Sequence, residues 1–174
     1  MVKIRSIFDI MANYNFNKDL VIGEEGEQVV IDDLISLGAT YDSNNKTNTH
    51  DVIVSFNGNP VSYECKTDFF DDTGNMFIET NCRGKESGIM VTKAKWFVTY
   101  FKQLNEIWYI KTSKLKDILQ NNEHKKATQS GDLGSNTEGY LLNKNMFRDD
   151  FIVRHSIKHT EIIKKWQKKY KPQN

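Results

Sequence analysis

Residues 51–66 constrain this chain more than any other stretch. Asn57-Gly58-Asn59-Pro60 is a turn block between two runs rich in β-branched residues, and Asn-Gly is the dipeptide that tight hairpins favour. Side chains alternate faces along a strand, so Glu64 and Lys66 project to the same side. Pairing Phe56 with Val61 sets Asp51 opposite Lys66 and Ile53 opposite Glu64. Directly opposed residues share a face at roughly 4.5–5.5 Å between Cβ atoms. Asp51, Glu64 and Lys66 are therefore expected to converge at one end of a sheet.

Two carboxylates that close repel one another and raise each other's pKa unless a cation lies between them. A hard divalent ion such as Mg²⁺ is the usual resident of an oxygen-only site. The alternative is an exposed cross-strand salt bridge between Asp51 and Lys66, of a kind worth little. The Glu-x-Lys element occurs again at Glu123-His124-Lys125, but there it sits beside Asn121 and Asn122 with no apolar alternation. That second copy reads as a solvated loop or helix end.

A length of 174 residues suits one domain, and 38% hydrophobic with 27% charged residues is ordinary globular composition. Near the start Asp9 interrupts the apolar stretch, and no run approaches the ~20 apolar residues of a membrane helix, so a cytoplasmic location is expected. Cys65 and Cys82 are the only cysteines, without zinc-site spacing, and read as reduced packing residues. The formal charge of +1 hides an asymmetry. Arg154, Lys158, Lys164, Lys165, Lys168, Lys169 and Lys171 crowd the end of the chain against Glu161, which suits either phosphates or a solubilising helix face.

Residues from Asn17 to about Leu37 follow a helical pattern with Gly38 as a stop. Glu27 shares the face of Val30, Ile31 and Leu34, which aims a carboxylate at the core side, and burying it without a partner is costly. Lys66, a metal or water is the expected partner, and a helix-end carboxylate reaching solvent is the simpler alternative. Gly23 and Gly26 permit close approach of another backbone or a ligand. Tyr41 to Thr49 is turn-like, Asp68 to Asn75 a loop, and Met76 to Thr80 a third strand. Thr92 is expected to cap a helix reaching about Leu104, with Ala94, Phe97, Val98 and Phe101 as its apolar face. Ile107 to Lys111 is a strand, Ser113 caps a helix to about Leu119, and Asn121 to Gly139 is polar and expected to be a mobile loop. Leu141, Leu142, Phe151 to Val153 and a basic helix over about 160–171 complete a single domain.

A helix with Glu27, a strand opened by Asp51, the Glu64-Cys65-Lys66 strand, a third strand with Glu79 and a following helix together resemble the core of the PD-(D/E)XK nuclease superfamily. The resemblance covers roughly Val21 to Lys111 within an expected core of about 19–111. Gly26-Glu27 matches the family's first-helix pattern, His50-Asp51 takes the place of Pro-Asp, and Glu64-Cys65-Lys66 matches the closing signature. Thr73 to Glu79, Lys85 to Ile89, and Thr92, Ala94 and Trp96 are similar to small phage-encoded members, although Lys95 stands where those carry an acid. The resemblance implies an α/β (α+β), restriction-endonuclease-like fold with a central mixed sheet flanked by helices.

It also implies Mg²⁺- or Mn²⁺-dependent hydrolysis of DNA phosphodiester bonds. Asp51, Glu64 and the Cys65 carbonyl are the implied ligands, Lys66 orients or deprotonates the nucleophile, and Glu27 serves through water or a second ion. Glu79 is an outer candidate, and His50 reads as structural. Lys85, Ser87, Thr92 and Lys93 are expected to contact DNA, the last two at a helix N-terminus that welcomes anions. Two other readings are a four-way-junction resolvase acting as a homodimer and a non-catalytic nucleic-acid-binding or interaction module whose DNA binding needs no metal.

Overall fold

The hairpin decides the layout of a computed structural model that describes residues 16–41, 50–69, 73–130 and 136–156. The chain runs through α1 (Phe16–Ser36), β1 (Thr40–Tyr41), β2 (Val52–Phe56), β3 (Asn59–Asp68), β4 (Asn75–Cys82) and β5 (Lys85–Glu86). It continues through β6 (Trp96–Phe101), β7 (Glu106–Lys111), α2 (Thr112–Asn121), β8 (Lys125–Ser130), β9 (Thr137–Asn143), α3 (Lys144–Phe147) and β10 (Ile152–His155). Ten strands form two sheets among the described residues, one of six in the order β1-β2-β3-β6-β7-β10 and one of four in the order β5-β4-β9-β8. The fold is mixed α/β, with a mixed central sheet in which β3 and β6 are the parallel pair.

The turn between β2 and β3 is tighter than the Asn-Gly-Asn-Pro block suggests. Asn57 and Gly58 both have positive φ, 50° and 79°, as a two-residue primed turn requires. Asn59 and Pro60 are already in β3, Phe56 pairs with Asn59 and Val52 with Tyr63. The register is thus two residues from the expected one. An even shift preserves the face of every side chain.

Four further expectations are corrected. Residues 96–101 form a strand and not a helix, because Trp96-Phe97-Val98-Thr99-Tyr100-Phe101 is a continuous β-branched and aromatic run buried on both faces, as central strands are. No helix begins at Thr92; it follows a 3₁₀ turn at Gly88–Met90 whose Ile89 is fully buried. The strand carrying Glu79 joins the second sheet, and where a loop was expected from Asn121 to Gly139, residues 125–130 form a strand and residue 137 opens another that runs to Asn143. Arg154 lies on β10, whereas residues 157–174, including the basic helix expected at about 160–171, fall outside the described residues.

Two apolar layers flank the central sheet. On one face Val29, Val30, Ile31 and Leu34 of α1 pack on Val52, Val54, Tyr63, Cys65, Val98, Tyr100, Ile107 and Tyr109. A Cβ at Gly26 would collide with the Thr67 side chain, so this glycine sets how closely the helix crosses β3. On the other face Phe97, Phe101, Trp108 and Ile110 meet Met76 and Ile78 of the second sheet, Leu115 and Ile118 of α2, and Leu142, Phe147 and Phe151. This second layer carries the packed core well past residue 111. Among the described residues no helix is long and apolar enough to cross a membrane.

Candidate carboxylate site on strand β3

The strands β2 and β3 part immediately beyond the Val52–Tyr63 pair, and the candidate site forms at the parting. The Asp51 N–H still donates to the Tyr63 carbonyl at 3.1 Å. The Asp51 carboxylate then takes over from the backbone: its Oδ2 accepts the Cys65 N–H at 2.8 Å. A side chain thereby satisfies an amide near the end of the two-strand ladder. Cys65 itself points to the α1 layer and is buried, so by alternation Glu64 and Lys66 face the second sheet.

Glu64 is 9% exposed, and each of its oxygens has a partner. Oε1 pairs with Lys66 Nζ at 2.8 Å. Oε2 accepts the Thr92 hydroxyl at 2.9 Å. Burial pushes the Asp51 carboxyl above the usual carboxylate range, Lys66 works against that, and Glu64 reinforces it. Burial opposes the Lys66 ammonium, yet Glu64 and Asp51 more than offset it and raise its pKa, with a smaller contribution from Glu79. The expected trio is therefore brought together. The salt bridge differs from the anticipated one, since Lys66 bonds Glu64 and acts on Asp51 through its charge.

Glu27 is half-buried on α1, close enough for its charge to raise the Cys65 thiol, an effect led by burial of that thiol and followed by the charge of Asp51. Glu79, on β4, acts on Lys66 across the gap between the sheets. His50 lies beside Asp51 and lowers its pKa slightly against these larger influences. Of the expected DNA contacts, Lys85 and Lys93 are exposed. Thr92 is buried against Glu64, and the Ser87 hydroxyl is also buried, so neither side chain is presented as a surface phosphate contact. The expected anion site at a helix N-terminus is absent because the chain enters a strand there.

No group of three or more His, Cys, Asp and Glu side chains among the described residues is arranged as a ready metal cage. The donor chemistry nevertheless suits a hard divalent ion. Asp51 and Glu64 offer carboxylate oxygens, and a cation would relieve the strain that burial and Glu64 place on an ionised Asp51.

Sequence reasoning missed a second polar cluster, on the opposite face of the same sheet. Asp33 of α1 is 0% exposed, and its Oδ2 accepts the Tyr109 hydroxyl at 2.8 Å and Arg154 Nε at 2.7 Å. Burial, followed by the Asp33 charge, drives the Tyr109 hydroxyl far above its ordinary range. The sequence signal was present: Asp33 stands beside Leu34 and three residues after Val30, on the buried stripe of α1. The chain matches no protein-family model, no curated protein and no solved structure. The functional reading therefore stands on the geometry of these side chains.

Proposed function

We propose that this protein is a metal-dependent nuclease that hydrolyses DNA phosphodiester bonds, as the resemblance to PD-(D/E)XK enzymes implies. The observation that carries the reading is the meeting of Asp51, Glu64 and Lys66 where β2 leaves β3. Asp51, Glu64 and the Cys65 carbonyl would hold Mg²⁺ or Mn²⁺, and Glu27, on the Cys65 side of the sheet, would add to that shell only through water or a second ion. When bound, the ion supplies charge neutralisation at a phosphate oxygen and a more acidic water.

Lys66 has the chemistry to switch partners. Its side chain is 41% exposed and pivots on a flexible stem, so the ammonium can leave Glu64 for a phosphate oxygen or the attacking water. Glu79 keeps negative charge nearby and favours the protonated form. Lys85 and Lys93 serve as exposed phosphate contacts. A cytoplasmic setting suits Cys65 and Cys82, neither of which is in a disulfide.

A non-catalytic DNA-binding module on the same fold is the second reading. It is favoured by the partners that already engage both Glu64 oxygens. The deciding experiment incubates wild type and Asp51→Asn with single-stranded, duplex and four-way-junction DNA, in Mg²⁺ or in EDTA. The nuclease reading expects cleavage by wild type only, and only with metal. Binding without cleavage in every arm selects the module, and cleavage confined to the junction by a dimeric species selects the resolvase version.

A further inference from the structure

We infer that Thr92 is a positioning residue for Glu64, fixing the direction in which that carboxylate presents an oxygen to a divalent cation. The inference rests on the nuclease reading and adds to it a residue from outside the hairpin. Thr92 is 7% exposed. Its hydroxyl donates to Glu64 Oε2 at 2.9 Å, while the Ala94 N–H donates into the same hydroxyl oxygen at 3.2 Å. A hydroxyl has one proton, and with an amide occupying its acceptor side that proton is directed at Glu64. The arrangement matches an ionised carboxylate, which accepts hydrogen bonds and donates none.

The two oxygens of Glu64 are thus held by partners of unlike mobility. Oε1 faces Lys66, a long side chain with access to solvent. Oε2 faces Thr92, a short β-branched side chain with a stiff χ1. The backbone behind Thr92 is pinned as well. Its N–H donates to the Gly88 carbonyl at 3.1 Å, and the Ser87 N–H donates to the Thr80 carbonyl of β4 at 3.0 Å.

Gly88 has a φ of 52°, and a Cβ there would stand 2.5 Å from the Glu79 carbonyl oxygen, so only glycine lets this segment lie against β4. Thr92 is therefore the end of a hook that ties Glu64 on the central sheet to the second sheet. When Lys66 swings away, Oε1 is the oxygen presented, and Thr92 keeps the carboxylate from rotating. A ligand oriented in advance loses less freedom on binding, which is why hydrogen-bond partners of metal ligands strengthen metal binding.

The test uses the full chain as wild type, Thr92→Ser and Thr92→Val. Mn²⁺ binding is measured by calorimetry, cleavage of duplex DNA is measured across a Mn²⁺ titration, and thermal melts confirm folding. Thr92→Val is expected to weaken Mn²⁺ binding by about tenfold or more, with much of the cleavage rate recovered at saturating Mn²⁺. Thr92→Ser, which keeps the hydroxyl, should stay close to wild type. In the metal-free wild type, a slowly exchanging Thr92 hydroxyl proton should be visible by NMR.

Equal Mn²⁺ binding by wild type and Thr92→Val overturns the inference, as does a Thr92→Ser variant as weak as Thr92→Val. A missing hydroxyl resonance also counts against it, and if Thr92→Val does not fold, Thr92→Ser and that resonance decide. Wild type that cleaves while Thr92→Val is unaffected removes only the positioning role. Wild type that neither binds Mn²⁺ nor cleaves removes the nuclease reading, and the role falls with it.

Discussion

Asp33 and Glu64 are both buried carboxylates bonded to a cationic side chain and a hydroxyl, yet they lie on opposite faces of one sheet and differ in what they can do. Asp33 is closed in by Arg154 and Tyr109 beneath α1. Its two partners come from β7 and β10, and the cluster fastens both strands to the helix. Glu64 pairs with the ammonium two residues along its own strand, on a side chain that is 41% exposed. A second carboxylate, Asp51, stands beside it. A buried charge with fixed partners serves the fold, whereas one with an exchangeable partner and a like charge nearby is suited to a reaction.

If that contrast holds, mutations on the two faces separate activity from stability. The largest effect is expected for Lys66→Ala, which should lower Mg²⁺-dependent cleavage by about 10³-fold, equivalent to about 4 kcal/mol of transition-state stabilisation, with a smaller loss of stability than Arg154→Ala because the Glu64 side chain keeps 11% exposure against 1% for Asp33. Gel-resolved single-turnover cleavage measures it, and an undiminished rate would end the contrast. Arg154→Ala is expected to do the reverse. It leaves the Asp33 charge buried without its guanidinium and should cost about 3 kcal/mol in urea unfolding, with cleavage retained in the folded fraction. A loss below the error of the denaturation fit would show that Tyr109 alone suffices for Asp33.

Gly26→Ala forces α1 away from Thr67 and should cost about 2 kcal/mol; Thr67→Ala in the same chain should recover most of it. Lack of recovery would locate the damage elsewhere.

The smallest effect is a pH signature at Asp51. A carboxyl whose folded pKa lies above its unfolded value binds the proton more tightly in the native state, so between the two values stability falls as pH rises. Removing the charge removes that cost. Asp51→Asn, with an amide oxygen still able to accept the Cys65 N–H, should melt about 2 °C higher than metal-free wild type at pH 7. The gain should shrink as pH falls through the Asp51 titration. A lower melting point at pH 7 would mean that the ionised carboxylate is net stabilising there.

The site's hairpin half was legible because its information is local. Asn57-Gly58 marks the turn, and period-two alternation places Glu64 with Lys66 whatever the partner strand does. Counting Asn59 and Pro60 into the turn displaced the register by an even number, so the face survived the error. The stretch from Thr92 onward was misread because Ala94, Phe97, Val98 and Phe101 satisfy a helical spacing by coincidence. A strand buried on both faces shows no alternation to contradict it.

Tertiary partners were harder to see. Thr92 meets Glu64 across 28 positions. Arg154 counted with the basic tail until its bond to Asp33, 121 positions away, tied it to α1. Residues 125–130 lacked apolar alternation because β8 lies at the edge of the second sheet, where solvent accepts polar side chains.

The pairing of β4 with β9 has a consequence for a chain emerging from the ribosome. Helix, hairpin and the Asp51–Cys65 bond use residues made early, but β4 keeps one bare edge until residues 137–143 have been translated. The Ser87–Thr92 hook is anchored to that strand. A nascent chain therefore carries the acidic pair before the sheet that steadies it, and vectorial synthesis holds back a finished site until β9 has been made.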